Sequence, residues 1–160
     1  MDRRELLNTL GAAAAGAVVL GAVKARAADD KETHLHLDKV HASCVDACND
    51  CAKACNMMAS HCLEQLSEGR GPIKIHARSA SLGFDCEAFC TLSATMMARG
   101  SELMTASCGA CAEACKSCAQ ACEKAPDDAV MKACAKACRD CETSCRDMVR
   151  RMSSKSAVTR

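Results

Sequence analysis

The chain has 160 residues, including 16 Cys, two Phe, no Trp and no Tyr, with a formal net charge of +1. One domain is the expectation at that length, and the near-neutral balance excludes a charge-driven nucleic-acid binder. One residue in ten is Cys, a share that points to a disulfide scaffold or a metal protein.

The first 27 residues read as a leader outside the fold. Arg3-Arg4-Glu5-Leu6-Leu7 is a twin-arginine start, and Leu10 to Val23 is an uncharged run of Ala, Gly, Val and Leu. That run has signal-peptide length and is short for a bilayer span. Ala25-Arg26-Ala27 fits a small-x-small cleavage site that would leave Ala28 as the new N-terminus. No Cys stands at the junction to carry a lipid. The shortness of the run weighs against an uncleaved amphipathic anchor. A twin-arginine signal is an address read by a receptor, so export to a periplasmic or other extracytoplasmic space is expected, with no stable membrane insertion after cleavage. The route carries folded proteins, which would let a thiol-rich chain fold reduced before it meets an oxidising compartment.

Cleavage would remove four basic and two acidic residues from totals of 21 and 20, leaving residues 28–160 with a net −1. This segment holds only seven Leu, two Ile, five Val and two Phe, a content that by itself suggests disorder. Yet it is Ala-rich, nearly free of Pro and strongly periodic. The 16 Cys and eight Met are the side chains left to fill a core, and both behave as buried hydrophobes.

Four helices are predicted, at about 35–67, 73–99, 101–124 and 127–152. The first carries His41, Cys44, Cys48, Cys51, Cys55, Met58 and Cys62 at alternating steps of three and four. Glu68-Gly69-Arg70-Gly71-Pro72 ends it. The second is sparser, with Leu82, Cys86, Cys90, Ser93 and Met97, and stops at Gly100-Ser101, where the Ser can cap the next helix. The third carries Met104, Cys108, Cys111, Cys115, Cys118 and Cys122 and ends at Ala125-Pro126. Asp127 and Asp128 then open the fourth, which carries Met131, Cys134, Cys138, Cys141, Cys145, Met148 and Met152. Steps of three and four keep each set on one stripe of a helix. Short loops make neighbours antiparallel, so the expected architecture is all-α, an up-down four-helix bundle with a Cys-lined lumen, one domain over 28–160. The last two clusters look like repeats of one unit, which the first shares.

Several chemistries could use such an interior. Cys as core filler accounts for one buried thiol but poorly for 16 on four seams, where Leu or Ala would pack without oxidation risk. Disulfides suit an oxidising compartment and an even count. Within a helix, however, Cβ atoms three or four residues apart are about 5–6 Å from each other, against the roughly 3.5–4.5 Å a disulfide needs. Bridges between helices stay open, but they need a few paired positions and not a continuous ladder. Zinc and iron–sulfur sites use Cys-x2-Cys on turns that wrap one ion or cluster. Were zinc to take four thiolates each, 16 Cys would hold about four ions and leave roughly −8 buried. One monovalent ion per thiolate leaves the core neutral. Copper(I) is that ion: soft, drawn to thiolate and thioether, and content with low coordination numbers. The Met at the stripe ends suit the same ion.

The pattern resembles the copper storage proteins, four-helix bundles whose lumen is lined with Cys. The resemblance spans roughly residues 40–152 and rests on Cys44-x3-Cys48-x2-Cys51-x3-Cys55, on Asp85-Cys86-x3-Cys90, and on the ladders at 108–122 and 134–145. It implies many copper(I) ions per chain, a homotetramer, and a role in supplying or sequestering copper, with a copper donor or acceptor protein as a possible partner. The twin-arginine start matches the family's exported branch. The cytosolic branch carries Cys where this chain has Met58, Ser79 and Met131, a departure that fits an exported member.

The competing class is a thiol-rich redox-sensing or partner-binding bundle, with disulfide staples as one form of it. A sensor needs one or two low-pKa thiols and not a filled lumen. No Ser-His-Asp set, paired carboxylate on an apolar face or phosphate loop argues for an enzyme. His34, His36, His41, His61 and His76 read singly as exposed helical residues. Antiparallel packing nevertheless gathers Met57, Met58, His61, Cys62, His76, Cys122 and Met131 at one end of the bundle. His41, Met96, Met97, Met104, Met148 and Met152 gather at the other. The first end mixes thioether, imidazole and thiolate beside a Gly-rich loop, so Met58, His61 and Met131 join the 16 Cys as candidate copper ligands.

Overall fold

A computed structural model describes residues 39–158; the predicted leader lies outside them. Four helices follow one another: α1 Lys39–Ser67, α2 Ile73–Ala98, α3 Met104–Cys122 and α4 Ala129–Val158. Ala and long polar side chains between the Cys favour helix throughout. Each break has a local cause. Gly69, at φ 64°, follows α1, and the Gly69 and Arg70 amides donate to the carbonyls of Leu66 and Gln65. Gly100, at φ 63°, does the same after α2, where its amide and that of Ser101 reach Met97 and Met96. Both are Schellman ends, which need a left-handed residue that Gly supplies without steric cost.

The third helix is shorter than its sequence pattern suggests. Residues 101–103 form a turn held by the Leu103 amide on Ser101 Oγ at 3.3 Å and the Met104 amide on the Ser101 carbonyl at 3.0 Å. The fourth runs past residue 152, because nothing in Ser153–Val158 stops a helix. Ser153 Oγ folds back on the Val149 carbonyl at 2.9 Å and leaves the backbone ladder intact.

Each helix packs against its chain neighbours, and α4 closes the ring on α1. Small residues bring α1 and α2 close. A Cβ on Gly83 would lie 2.7 Å from Met58 Cε and 3.3 Å from the Cys55 carbonyl. Outside, Arg139 pairs with Glu123 and Glu142, and Arg146 with Glu113 and Glu142, tying α3 to α4. Inside, the buried side chains include all 16 Cys, and Met58, Met97, Met131 and Met148 are the largest that are fully buried. Among the described residues no helix is long and apolar enough to cross a membrane.

Candidate metal centre

The 3–4 spacing turns every Cys inward, and all 16 are free thiols at 1% exposure or less. Their sulfurs meet across every interface. Cys48 and Cys145 are 3.6 Å apart between α1 and α4, and Cys86 and Cys115 are 3.6 Å apart between α2 and α3. They also meet across the diagonals, Cys51 with Cys115 at 3.8 Å and Cys90 with Cys141 at 3.9 Å. A bundle with Leu on its seams would separate diagonal helices with hydrocarbon; here sulfur alone spans the axis.

The sulfurs fall into overlapping sets of four, each within 4.8 Å: Cys55, Cys118, Cys134 and Cys138; then Cys51, Cys55, Cys86 and Cys138; then Cys51, Cys86, Cys90 and Cys115. Two more continue along the axis: Cys90, Cys111, Cys115 and Cys141; then Cys48, Cys111, Cys141 and Cys145. Each set shares two sulfurs with the next. Shared ligands suit bridging thiolates and a chain of soft monovalent ions; they do not suit separate tetrahedral zinc sites, each of which owns its four donors. Cys44 extends the column at 3.8 Å from Cys145, and Cys122 lies beside Cys118 and Cys134.

Without metal the column cannot ionise as a whole. Neighbouring S–H groups hold Cys51, Cys111 and Cys118 below the ordinary thiol range, Cys115 acting most strongly on the first two and Cys122 on the third. The partners that keep their protons are pushed above it: Cys55 and Cys138 chiefly through Cys118, and Cys90 through Cys111. A cation entering the column therefore displaces protons.

The two ends differ. Past Cys44 and Cys145 the lumen is plugged by Met97 and Met148, both essentially inaccessible, with Met104, Met152 and His41 partly buried around them. At the end of α1 the column finishes in a mixed cluster. Cys62 Sγ lies 3.5 Å from Met58 Sδ and 3.4 Å from Met131 Sδ. Burial pushes the Cys62 thiol up to about 11, and the Asp128 carboxylate adds to this. His61 Nε2 is 2.7 Å from Asp128 Oδ2, and its ring centre is 6.1 Å from that of His76. A cavity of about 430 Å³ opens beside them, lined by Gln65, Gly71, Pro72, His76, Lys124 and Asp128 among others. Met57, grouped with this end on sequence grounds, is 60% exposed and points away.

The structure thus brings Met58, His61, Cys62 and Met131 to one place. Two neighbours stand outside the candidate ligands that the sequence suggests. Asp128 was read only as a helix-start residue. His76, gathered at this end by the sequence but singly expected to be exposed, is buried, and its Nδ1 has no hydrogen-bond partner among the described residues. Its signal was present: 76, 79, 83, 86 and 90 continue the seam of α2. Ser79 and Ser93 on that seam are also buried with unpartnered Oγ atoms, at rungs where the other helices place sulfur.

Residues 37–150 match the family profile described as Csp, copper storage protein. The Cu(I)-bound copper storage protein BsCsp3 is 33% identical, with a TM-score of 0.62 over 69% of this chain and 99% of that one. Apo Csp3 from Bacillus subtilis is 36% identical, with a TM-score of 0.58 over 68% and 97%. The Streptomyces lividans copper storage protein Ccsp, loaded with 10 copper equivalents, is 27% identical, with a TM-score of 0.63 over 71% and 87%. No curated protein matches the chain by sequence.

Proposed function

The chain belongs to the copper storage protein family, and from that membership and its unbroken thiol column we infer that it stores copper(I) in bulk, held by thiolates along the axis of the bundle. The observation that carries this is the overlap of the four-sulfur sets, which gives each thiolate two neighbouring positions to bridge. Holding copper requires no reaction on a substrate, so we assign no enzymatic role. Saturation of the reduced protein at two or three copper ions would reduce the lumen to a sensor site and sink this reading.

We propose that copper passes through the end formed by Met58, His61 and Met131. Neutral thioethers and an imidazole grade there into the Cys62 thiol and then the full column, so an ion moves inward from weaker to stronger donors. Leu replaces Met at nearly equal volume but offers no sulfur. The double variant Met58→Leu, Met131→Leu is expected to load or release copper several-fold more slowly, with final capacity nearly unchanged. Stopped-flow transfer from a chromophoric chelator reads both quantities. Wild-type rates in this variant, with slowing when Met97, Met104 and Met148 are replaced instead, would move the mouth to the other end.

We propose in addition that α2 forms contacts between copies of the chain, consistent with a homotetramer. Both aromatic residues of the chain lie outside the bundle on this helix, Phe84 at 48% and Phe89 at 39% exposure, with Leu92 at 44%. Phe84, Ala88 and Leu92 form an i,i+4 row that a monomer would leave wet. The variant Phe84→Glu, Leu92→Glu is expected to sediment as smaller species than the wild type; an unchanged mass would place the contact on another face. The twin-arginine leader in residues 1–27 supports storage outside the cytoplasm, where a periplasmic donor or acceptor protein would exchange copper with the mouth.

A further inference from the structure

His61 and Asp128 stand 67 residues apart in sequence and meet at 2.7 Å, each side chain about one-fifth exposed. An ionised carboxylate only accepts hydrogen bonds. Asp128 presents both oxygens as acceptors, Oδ1 to two backbone amides and Oδ2 to His61 Nε2. Paired with such an acceptor, the neutral imidazole carries its proton on Nε2. The lone pair that remains for a metal is then on Nδ1.

The other oxygen of Asp128 is committed as well. Oδ1 accepts from the Val130 amide at 2.9 Å and the Met131 amide at 3.0 Å, capping the first turn of α4. Met131 is therefore tied through its own amide to the residue that holds His61, and its sulfur lies 3.4 Å from that of Cys62. One carboxylate links the donors at the end of α1 to the donor at the start of α4. A plain helix cap would need only one of the two oxygens, and a plain surface ion pair would not need the cap.

We propose that Asp128 is a positioning residue for copper(I) at the mouth, fixing His61 in the Nε2–H tautomer so that Nδ1 is free for the ion while holding Met131 against Cys62. This rests on the reading that His61 handles copper there. The Asp128→Asn variant separates the two duties. Asn caps a helix about as well as Asp, so Oδ1 can keep both amides. Its side-chain nitrogen, however, is a donor where the carboxylate oxygen was an acceptor. It drives Nε2 of His61 to accept and places the ring proton on Nδ1, the nitrogen the ion needs.

Two measurements follow. In the copper-free, reduced protein, long-range ¹⁵N–¹H correlation should show His61 as the Nε2–H tautomer in the wild type and as Nδ1–H in Asp128→Asn. Copper(I) transfer from a chelator should slow on the order of ten-fold in that variant, the scale at which outer partners of a ligating His act. Capacity and the melting temperature of the copper-free form should stay close to wild type, which a merely structural role for Asp128 would not allow. His61→Ala tests the underlying reading: it should slow transfer at least as much. A wild-type rate in His61→Ala would overturn that reading and this inference with it. Slowing in His61→Ala with an unchanged tautomer or an unchanged rate in Asp128→Asn would overturn the role of Asp128 alone.

Discussion

Reduced protein titrated with copper(I) against a chromophoric chelator is expected to take up ions in number comparable to its 16 Cys, while zinc saturates at no more than about four because each zinc consumes four thiolates. Charge makes the difference large. A cation that matches each thiolate one to one leaves the axis neutral, whereas four zinc ions would leave roughly −8 in a space closed to water, at a desolvation cost a small bundle does not meet. The same uptake should release protons, since the metal-free column keeps them on Cys55, Cys90 and Cys138, which stand above the ordinary thiol range. Apparent affinity should accordingly fall as the pH falls, because protons and copper compete for the same sulfurs. Potentiometric proton counting during the titration checks this. Copper uptake without proton release would mean that the thiols are not the ligands.

Copper-loaded protein should melt tens of degrees above the copper-free form in calorimetry. The copper-free bundle folds around Cys, Ala and four buried Met, side chains that are hydrophobic but small, and its large aliphatic residues are few. Metal that binds the native state and not the unfolded one raises stability by linkage, about 4 kcal/mol for one site at a thousand times its dissociation constant. A domain of this size gains several degrees for each kcal/mol, and many sites act together. Equal melting temperatures with and without copper would show that the ions sit outside the folded lumen.

The two expectations draw on different levels of the molecule. Capacity was legible in the sequence because an α-helix repeats every 3.6 residues. Steps of three and four therefore put Cys44, Cys48, Cys51 and Cys55 on one face whatever surrounds them, and the same holds for the ladders of α3 and α4. The helix breaks were legible for a similar reason: Gly69 and Gly100 supply the left-handed residue a Schellman end requires. Helix ends were less so. The start of α3 at Met104 depends on whether a turn finds its hydrogen bonds, and Ser101 decided that in a way composition does not reveal.

Periodicity assigns a face but not a height, and the site depends on height. Cys62 meets Met58 four residues earlier on its own helix, but its contact with Met131, in contrast to the thiol-rich surroundings of Cys51 or Cys138, follows from the axial register of α1 against α4. Packing sets that register. Gly83 lets Met58 lie against α2, and the loop from Glu123 to Asp128 brings the start of α4 beside the end of α1. The pairing of His61 with Asp128 and the burial of His76 belong to the same level. A lone His at a helix end is usually wet, and no local rule says which carboxylate from 67 residues away will reach it. Residue types and their spacing made this chain a helical thiol column suited to copper(I), because those are properties of single helices. Which sulfurs are shared, that Asp128 reaches His61 and that His76 is buried beside them arose only when four helices settled at one relative height, because contacts between distant segments are properties of the packed bundle.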